Sequence, residues 1–282
     1  MNSSKVLSIV TFVYCLAAFL YIAAYVFKKT LPGKLATGTL MIAFLGNTAG
    51  ILMRWAESYQ MGIGHAPLSN MYESLVFFAW TLILIYFFIA YRYKNRSIDI
   101  FGGVFAAPAA FLAMAYASLS PNVSDRIQPL IPALKSNWLI AHVVTCFFGY
   151  AGFAMAFGIS VMYLFKQRDA EGKHYLSSHI PEYDVLDELT HQMIMFGFLF
   201  LSVGIITGAV WANSAWGTYW SWDPKETWSL ITWFIYATFL HARLMRGWHG
   251  RRIAYLSIIG FMAVLFTYFG VNLLPGLHSY GQ

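Results

Sequence analysis

Six of the ten tryptophans, Trp211, Trp216, Trp220, Trp222, Trp228 and Trp233, fall within 23 residues, where an even spread would place about one. The core of this stretch reads Trp216-Gly-Thr-Tyr219-Trp220-Ser-Trp222-Asp223-Pro224-Lys225-Glu226. Asp-Pro-Lys-Glu fits the start of a helix, because proline suits the first turn and carboxylates favour the positive end of the helix dipole. A loop pinned by a helix start in this way would hold its indoles as a fixed platform. Such a surface suits a flat, apolar, conjugated ligand with polar edges. The plainer alternative is an aromatic belt, since Trp and Tyr favour membrane interfaces in general. A belt, however, is scattered over many helix ends rather than packed into one short loop. Asp223 and Glu226 stand either as capping carboxylates or as groups that orient the platform.

The elements that must position this loop are membrane helices. Of the 282 residues, 59% are hydrophobic and only 11% are charged, against roughly 25% charged in a soluble domain. Mean hydropathy is +0.59. A membrane-crossing helix needs about 20 mostly apolar residues. Eight segments qualify: Ser8–Phe27, Leu35–Met53, Met71–Tyr91, Ile100–Ala117, Trp138–Phe165, Gln192–Ala212, Thr227–Arg243 and Ile253–Leu273. The expectation is an all-α polytopic bundle forming a single transmembrane domain over residues 1–282. Its indole loop spans about 211–228 and its cytoplasmic loop about 166–190, where Pro181-Glu182-Tyr183-Asp184 would open a short interfacial helix. Lys5 and the apolar run after it read as a retained first helix, not a cleaved leader.

Charge sets the orientation. Loops after the odd-numbered spans carry 13 of the 18 Lys and Arg residues, and the opposite side carries 5. By the positive-inside rule both termini face outside, together with the tryptophan loop. The net charge of +6 is thereby read as a topology signal in a lipid bilayer, with no nucleic-acid partner implied. The two cysteines, Cys15 and Cys146, form no CxxC pair and read as small buried apolar residues.

Ionisable groups are expensive in a membrane, so its histidines are functional candidates. His142 lies about one turn into the fifth span and His278 just past the eighth, both on the face of the indole loop. His241 follows Glu226 by fifteen residues, which at about 1.5 Å each puts it ~22 Å deeper. That is near the inner leaflet, ahead of Arg243 and Arg246. Plainer readings stand beside these: His142 as a polar group between helices, His278 as a solvated tail residue, Arg243 as part of the topology signal. His191 opens the sixth span on the inner side, and His65 lies in an outer loop. His174, His179 and His249 read as solvated.

The segment WGTYWSWDPKETWSLITWFIYATFLHARL resembles the WWD signature of the haem-handling family of cytochrome c biogenesis, in its System II branch. Gly64-His-Ala-Pro67-Leu-Ser69-Asn70-Met-Tyr72-Glu73-Ser74, Asn137-Trp-Leu-Ile-Ala-His142-Val and Gly276-Leu-His278-Ser-Tyr280-Gly carry the likeness over most of the chain. The resemblance implies delivery of haem and its covalent attachment to apocytochrome c at the outer membrane face, a cytochrome c haem lyase activity shared with a CcsB/ResB-type membrane partner. The haem is haem b (iron protoporphyrin IX), and the membrane is the bacterial cytoplasmic membrane or the thylakoid. In that family, residues matching His142 and His278 ligate the external haem iron, with Trp216, Trp220, Trp222 and Asp223 holding the haem edge. His241 belongs to a second, inner site whose other ligand is a CcsB histidine or, within this chain, His191.

Two other classes compete. A cytochrome b-type electron-transfer subunit would pair histidines on facing helices and retain its haem. A non-catalytic assembly scaffold would bind partners but no haem. Nucleotide motifs, phosphate loops and Ser/His/Asp triads are missing from the sequence, which speaks against ATP-driven transport on this chain.

Overall fold

A computed structural model describes residues 2–93, 96–169 and 180–274. The described residues form eight α-helices: α1 (Ser3–Phe27), α2 (Thr30–Gln60), α3 (Met71–Tyr93), α4 (Arg96–Leu119), α5 (Asn137–Arg168), α6 (Tyr183–Trp216), α7 (Pro224–Arg246) and α8 (Arg251–Tyr268). Helices are what hydrocarbon demands, because each backbone N–H and C=O must be satisfied within its own segment. Seven are long and apolar enough to cross a membrane. The exception is α7, long enough at 23 residues but diluted by Trp, Thr, Ser, His241 and Arg243.

The sixth helix starts at Tyr183 and runs unbroken for 34 residues, so Tyr183-Asp184 opens α6 itself rather than a separate interfacial helix. Asp184 lies in its first turn, where the helix dipole favours a carboxylate. Leu186 and Leu189 are buried, so the apolar face already begins there.

The described residues of Met1–Ile131 form one compact unit, and those of Pro132–Glu171 and Glu182–Gln282 another. In the first, α1 to α4 run alternately up and down, as polar contacts at the two ends show. At one end, Ser3 N–H donates to Glu57 (2.8 Å) and Arg54 Nε to Glu73 (2.7 Å), joining the start of α1, the end of α2 and the start of α3. Asn70 caps α3 by accepting from Glu73 N–H at 2.9 Å, and Glu73 accepts in turn from Ser69 N–H and Oγ at 2.8 Å each. At the other end, Tyr21 and Tyr86 hydroxyls meet at 2.6 Å, and Tyr86 donates to Asp99.

The second unit repeats the up-and-down pattern. Its helices α5 and α6 approach at backbone distance: a Cβ on Gly149 would lie 3.1 Å from the Gly197 carbonyl oxygen, and one on Gly197 would strike the Phe153 ring at 2.6 Å. At one end, Arg243 pairs with Asp187, which also accepts from Gly250 N–H at 2.8 Å. This links the start of α6, the end of α7 and the start of α8. At the other end, Thr232 meets Thr267 at 3.1 Å, and Trp228 packs on Phe266 with centroids 4.2 Å apart.

Arg54 and Glu73 are both buried, and removing one partner of such a pair leaves a charge uncompensated in low dielectric. Arg54→Met should therefore lower stability by about 3–5 kcal/mol, read as a fall in melting temperature in detergent. Arg54→Met combined with Glu73→Gln should recover most of that loss. Equal melting of the single and double variants would contradict this account.

Candidate functional site

The tryptophan loop occupies residues 217–223, between the end of α6 and the start of α7. Gly217 ends α6 in the left-handed conformation (φ 77°), its N–H returning to the Asn213 carbonyl. Asp223 is the N-cap of α7 and Pro224 its first residue. The Asp223 carboxylate accepts from Lys225 N–H at 2.9 Å. Glu226 reaches back to accept from Ser221 N–H at 2.7 Å and Asp223 N–H at 3.3 Å. Both carboxylates therefore serve as caps, and through Ser221 the cap extends into the loop. Burial holds the Lys225 ammonium, ahead of the apolar stretch that starts at Thr227, below the ordinary lysine value, with Asp223 opposing.

Trp222 sits at φ 60°, a region that costs a side chain with a Cβ roughly 1–2 kcal/mol. The residue is nonetheless 68% exposed. The strained backbone is held from both sides, since Thr227 Oγ1 donates to the Trp222 carbonyl at 3.2 Å and the capping box closes over the residues around it. Strain that persists around an exposed indole is the pattern of a functional position. Trp220 meets Trp222 edge to face at 5.8 Å.

His142 lies at the same end of this unit, near the start of α5. Its Nδ1 is 2.7 Å from the Gly204 carbonyl oxygen of α6. Its ring lies parallel to Trp211 (17°, centroids 6.0 Å apart). Trp211 in turn packs against Trp216 at 4.9 Å and donates its Nε1–H to the Ala133 carbonyl at 2.8 Å. An unbroken run of ring contacts thus joins His142 to the tryptophan at the mouth of the loop. Among the residues singled out from sequence, the structure brings together His142 and Trp216, and separately Trp220, Trp222 and Asp223 on the adjoining loop.

His278 lies outside the described residues, as do His174 and His179. His241 lies at the opposite end of the unit, exposed on α7, in the stretch where Arg243 engages Asp187 and Glu188. His191 is 9% exposed and its Nδ1 is buried without a hydrogen-bond partner. His249 is held by Asp187 at 3.1 Å. In the first unit, both ring nitrogens of His65 face carbonyl oxygens, of Ala66 at 2.8 Å and Gln128 at 3.1 Å. That makes His65 a tether of its loop. Trp211, Gly204 and Gly208 were not singled out as site residues from sequence. The four-residue spacing of the two glycines, a small-xxx-small pattern of close helix approach, was the available signal.

A family model described as cytochrome c assembly protein matches residues 68–278, which spans the platform, His142 and α7. The chain belongs to that family. Among curated relatives named cytochrome c biogenesis protein CcsA, it is 43% identical to that of Chlamydomonas reinhardtii over 235 residues, 82% of this chain and 64% of the relative. It is 40% identical to that of Guillardia theta, covering 86% of this chain and 84% of the relative. For Gloeobacter violaceus the identity is 37%, covering 94% and 92%. This chain thus spans slightly under two thirds of the Chlamydomonas relative and most of the other two. Among solved structures, the cytochrome c haem lyase CcmF superposes with a TM-score of 0.71 at 17% identity. The likeness covers 97% of this family member and 50% of the CcmF chain, and it establishes the shared fold.

The geometry at Trp222 gives a stability test. Trp222→Asn and Trp222→Val both remove the indole, but only Asn tolerates the left-handed region. Trp222→Asn should exceed Trp222→Val by about 1–2 kcal/mol in thermal unfolding. Indistinguishable melting curves would show that the loop backbone is not held there.

Proposed function

We propose that this CcsA-family protein receives haem at the inner side of a membrane, presents it on the tryptophan platform at the outer side, and supports its attachment to the CxxCH segment of apocytochrome c. The observation that carries this reading is the run of ring contacts from His142 through Trp211 to Trp216. It puts an imidazole and a bank of indoles at one end of one helix bundle. Haem iron is commonly ligated by histidine on one or both axial faces, and indole faces suit the porphyrin plane.

The opposite end of the unit carries Lys166, Arg168, Arg243, Arg246, Arg251 and Arg252. Under the positive-inside rule that end faces the cytosol or stroma, and the platform faces outward. Both termini then lie outside. Relatives from cyanobacteria and algae favour a thylakoid or bacterial cytoplasmic membrane.

His142 and His278 act as the two axial ligands of the outer haem, with Trp216, Trp220, Trp222 and Asp223 along its edge. His241, exposed on α7, takes part in an inner site. Its outward position favours a second ligand from a CcsB-type partner over His191, which is buried. The substrate is haem b, whose vinyl groups supply the reactivity. Each cysteine S–H adds across one vinyl C=C to give a thioether, with no atom left over. The protein contributes orientation, turning a bimolecular encounter into a positioned one.

The test is co-expression with a CcsB-type partner and a CxxCH reporter, scoring covalent haem on the reporter. His142→Gly should lower attachment at least about tenfold, equivalent to about 1.4 kcal/mol of barrier. Added imidazole should restore it by replacing the lost ligand. His278→Gly and His241→Gly should behave likewise. Undiminished attachment in all three variants would remove the assignment.

A further inference from the structure

A histidine can bind iron through only one nitrogen at a time, so something must choose which. At His142 the choice is built into α6. The Gly204 oxygen, 2.7 Å from Nδ1, is a carbonyl and can only accept, so Nδ1 carries the proton. The lone pair of the neutral ring is then on Nε2. The Sγ of Cys146, 3.6 Å from Nδ1, lies on the same protonated edge.

Gly208, one turn after Gly204, decides where that edge goes. A Cβ built on Gly208 would lie 2.6 Å from His142 Nδ1, 2.8 Å from Cε1 and 3.4 Å from Cγ. The ring edge bearing Nδ1 is therefore laid against the bare backbone of α6. Even alanine would have to displace the ring. A Cβ on Gly204 would meet Cys146 Sγ at 2.6 Å, so the neighbouring turn is equally close. The Trp211 ring lies beside the imidazole, nearly parallel to it with centroids 6.0 Å apart, and is itself anchored to the Ala133 carbonyl.

We propose that Gly204, Gly208 and Trp211 are positioning residues for His142. The Gly204 carbonyl fixes the Nδ1–H form, the missing side chain of Gly208 lets the ring seat, and Trp211 stops it turning, so that Nε2 meets haem iron already aimed. This rests on the haem reading above. A carbonyl accepting the N–H of a ligand imidazole also makes the other nitrogen more basic, so the same contact strengthens the iron bond.

The experiment uses the membrane-embedded chain with its CcsB-type partner, purified with haem and examined by optical and electron paramagnetic resonance spectra. Gly208→Ala should weaken haem retention roughly tenfold and reduce the low-spin signal, with added imidazole restoring that signal. Gly152→Ala is the control: its Cβ would press the same helix pair, 3.0 Å from the Phe196 ring, away from His142. It should leave the spectrum as in the unaltered protein. A normal spectrum for Gly208→Ala overturns the proposal, and so does an equal loss in Gly152→Ala. If Gly208→Ala does not accumulate, Trp211→Leu adds no atom near the ring and should show the same imidazole-reversible loss. An unaltered spectrum there also overturns the proposal. His142→Gly separates the two levels: if it leaves the haem spectrum untouched, the haem reading at His142 fails first.

Discussion

Helix α6 lies against α5 at a separation set by backbone atoms, since Gly149 and Gly197 meet with no side chain between them. In lipid there is no hydrophobic gain from bringing two apolar helices together, so close van der Waals packing must supply the association. That contact depends on glycine along one stripe of each helix. The same stripe continues to Gly204, where the gap is filled by Cys146, and to Gly208, where it is filled by the ring of His142. The imidazole is thus a packing element of the bundle as well as a candidate ligand. A side chain at Gly208 would meet the ring itself.

Much of this was legible in the residues. The eight helices follow from apolar runs, and the start of α7 at Pro224 follows from the Asp-Pro-Lys-Glu signal. The nearness of Trp216 to His142 also emerged, because helix order and length put the start of the fifth span and the end of the sixth at one end of the bundle. The left-handed backbone of Trp222 was not legible, since propensity argues against a bulky residue there. It exists because Glu226 and Thr227 hold the chain around it. Trp211 looked like one more indole of the cluster. Its role as the ring beside His142 depends on helix rotation, which periodicity in an all-apolar span does not reveal. The polar start of α6 was also missed: Asp187 and Glu188 look like loop residues until Arg243 arrives from α7.

Arginine and acid residues are few, and several are used in pairs. Arg54 with Glu73 holds the first unit at one end, and Arg243 with Asp187 and Glu188 holds the second. Each pair joins helices that leave the bilayer at the same face, so the ions fix register where apolar packing alone would permit sliding. The Asp187 carboxylate takes in addition the N–H of Gly250 and the ring of His249, anchoring the turn between α7 and α8.

The reciprocal cap at Asp223 and Glu226 has a consequence for speed. A loop that had to become ordered around each incoming molecule would lose chain entropy at every encounter, slowing capture and making it steeply temperature-dependent. Here Ser221 and the backbone around Trp222 are tied to the helix beforehand. For haem taken up here as proposed above, capture would be governed by how often the flat molecule arrives, and release by how well its rim is gripped.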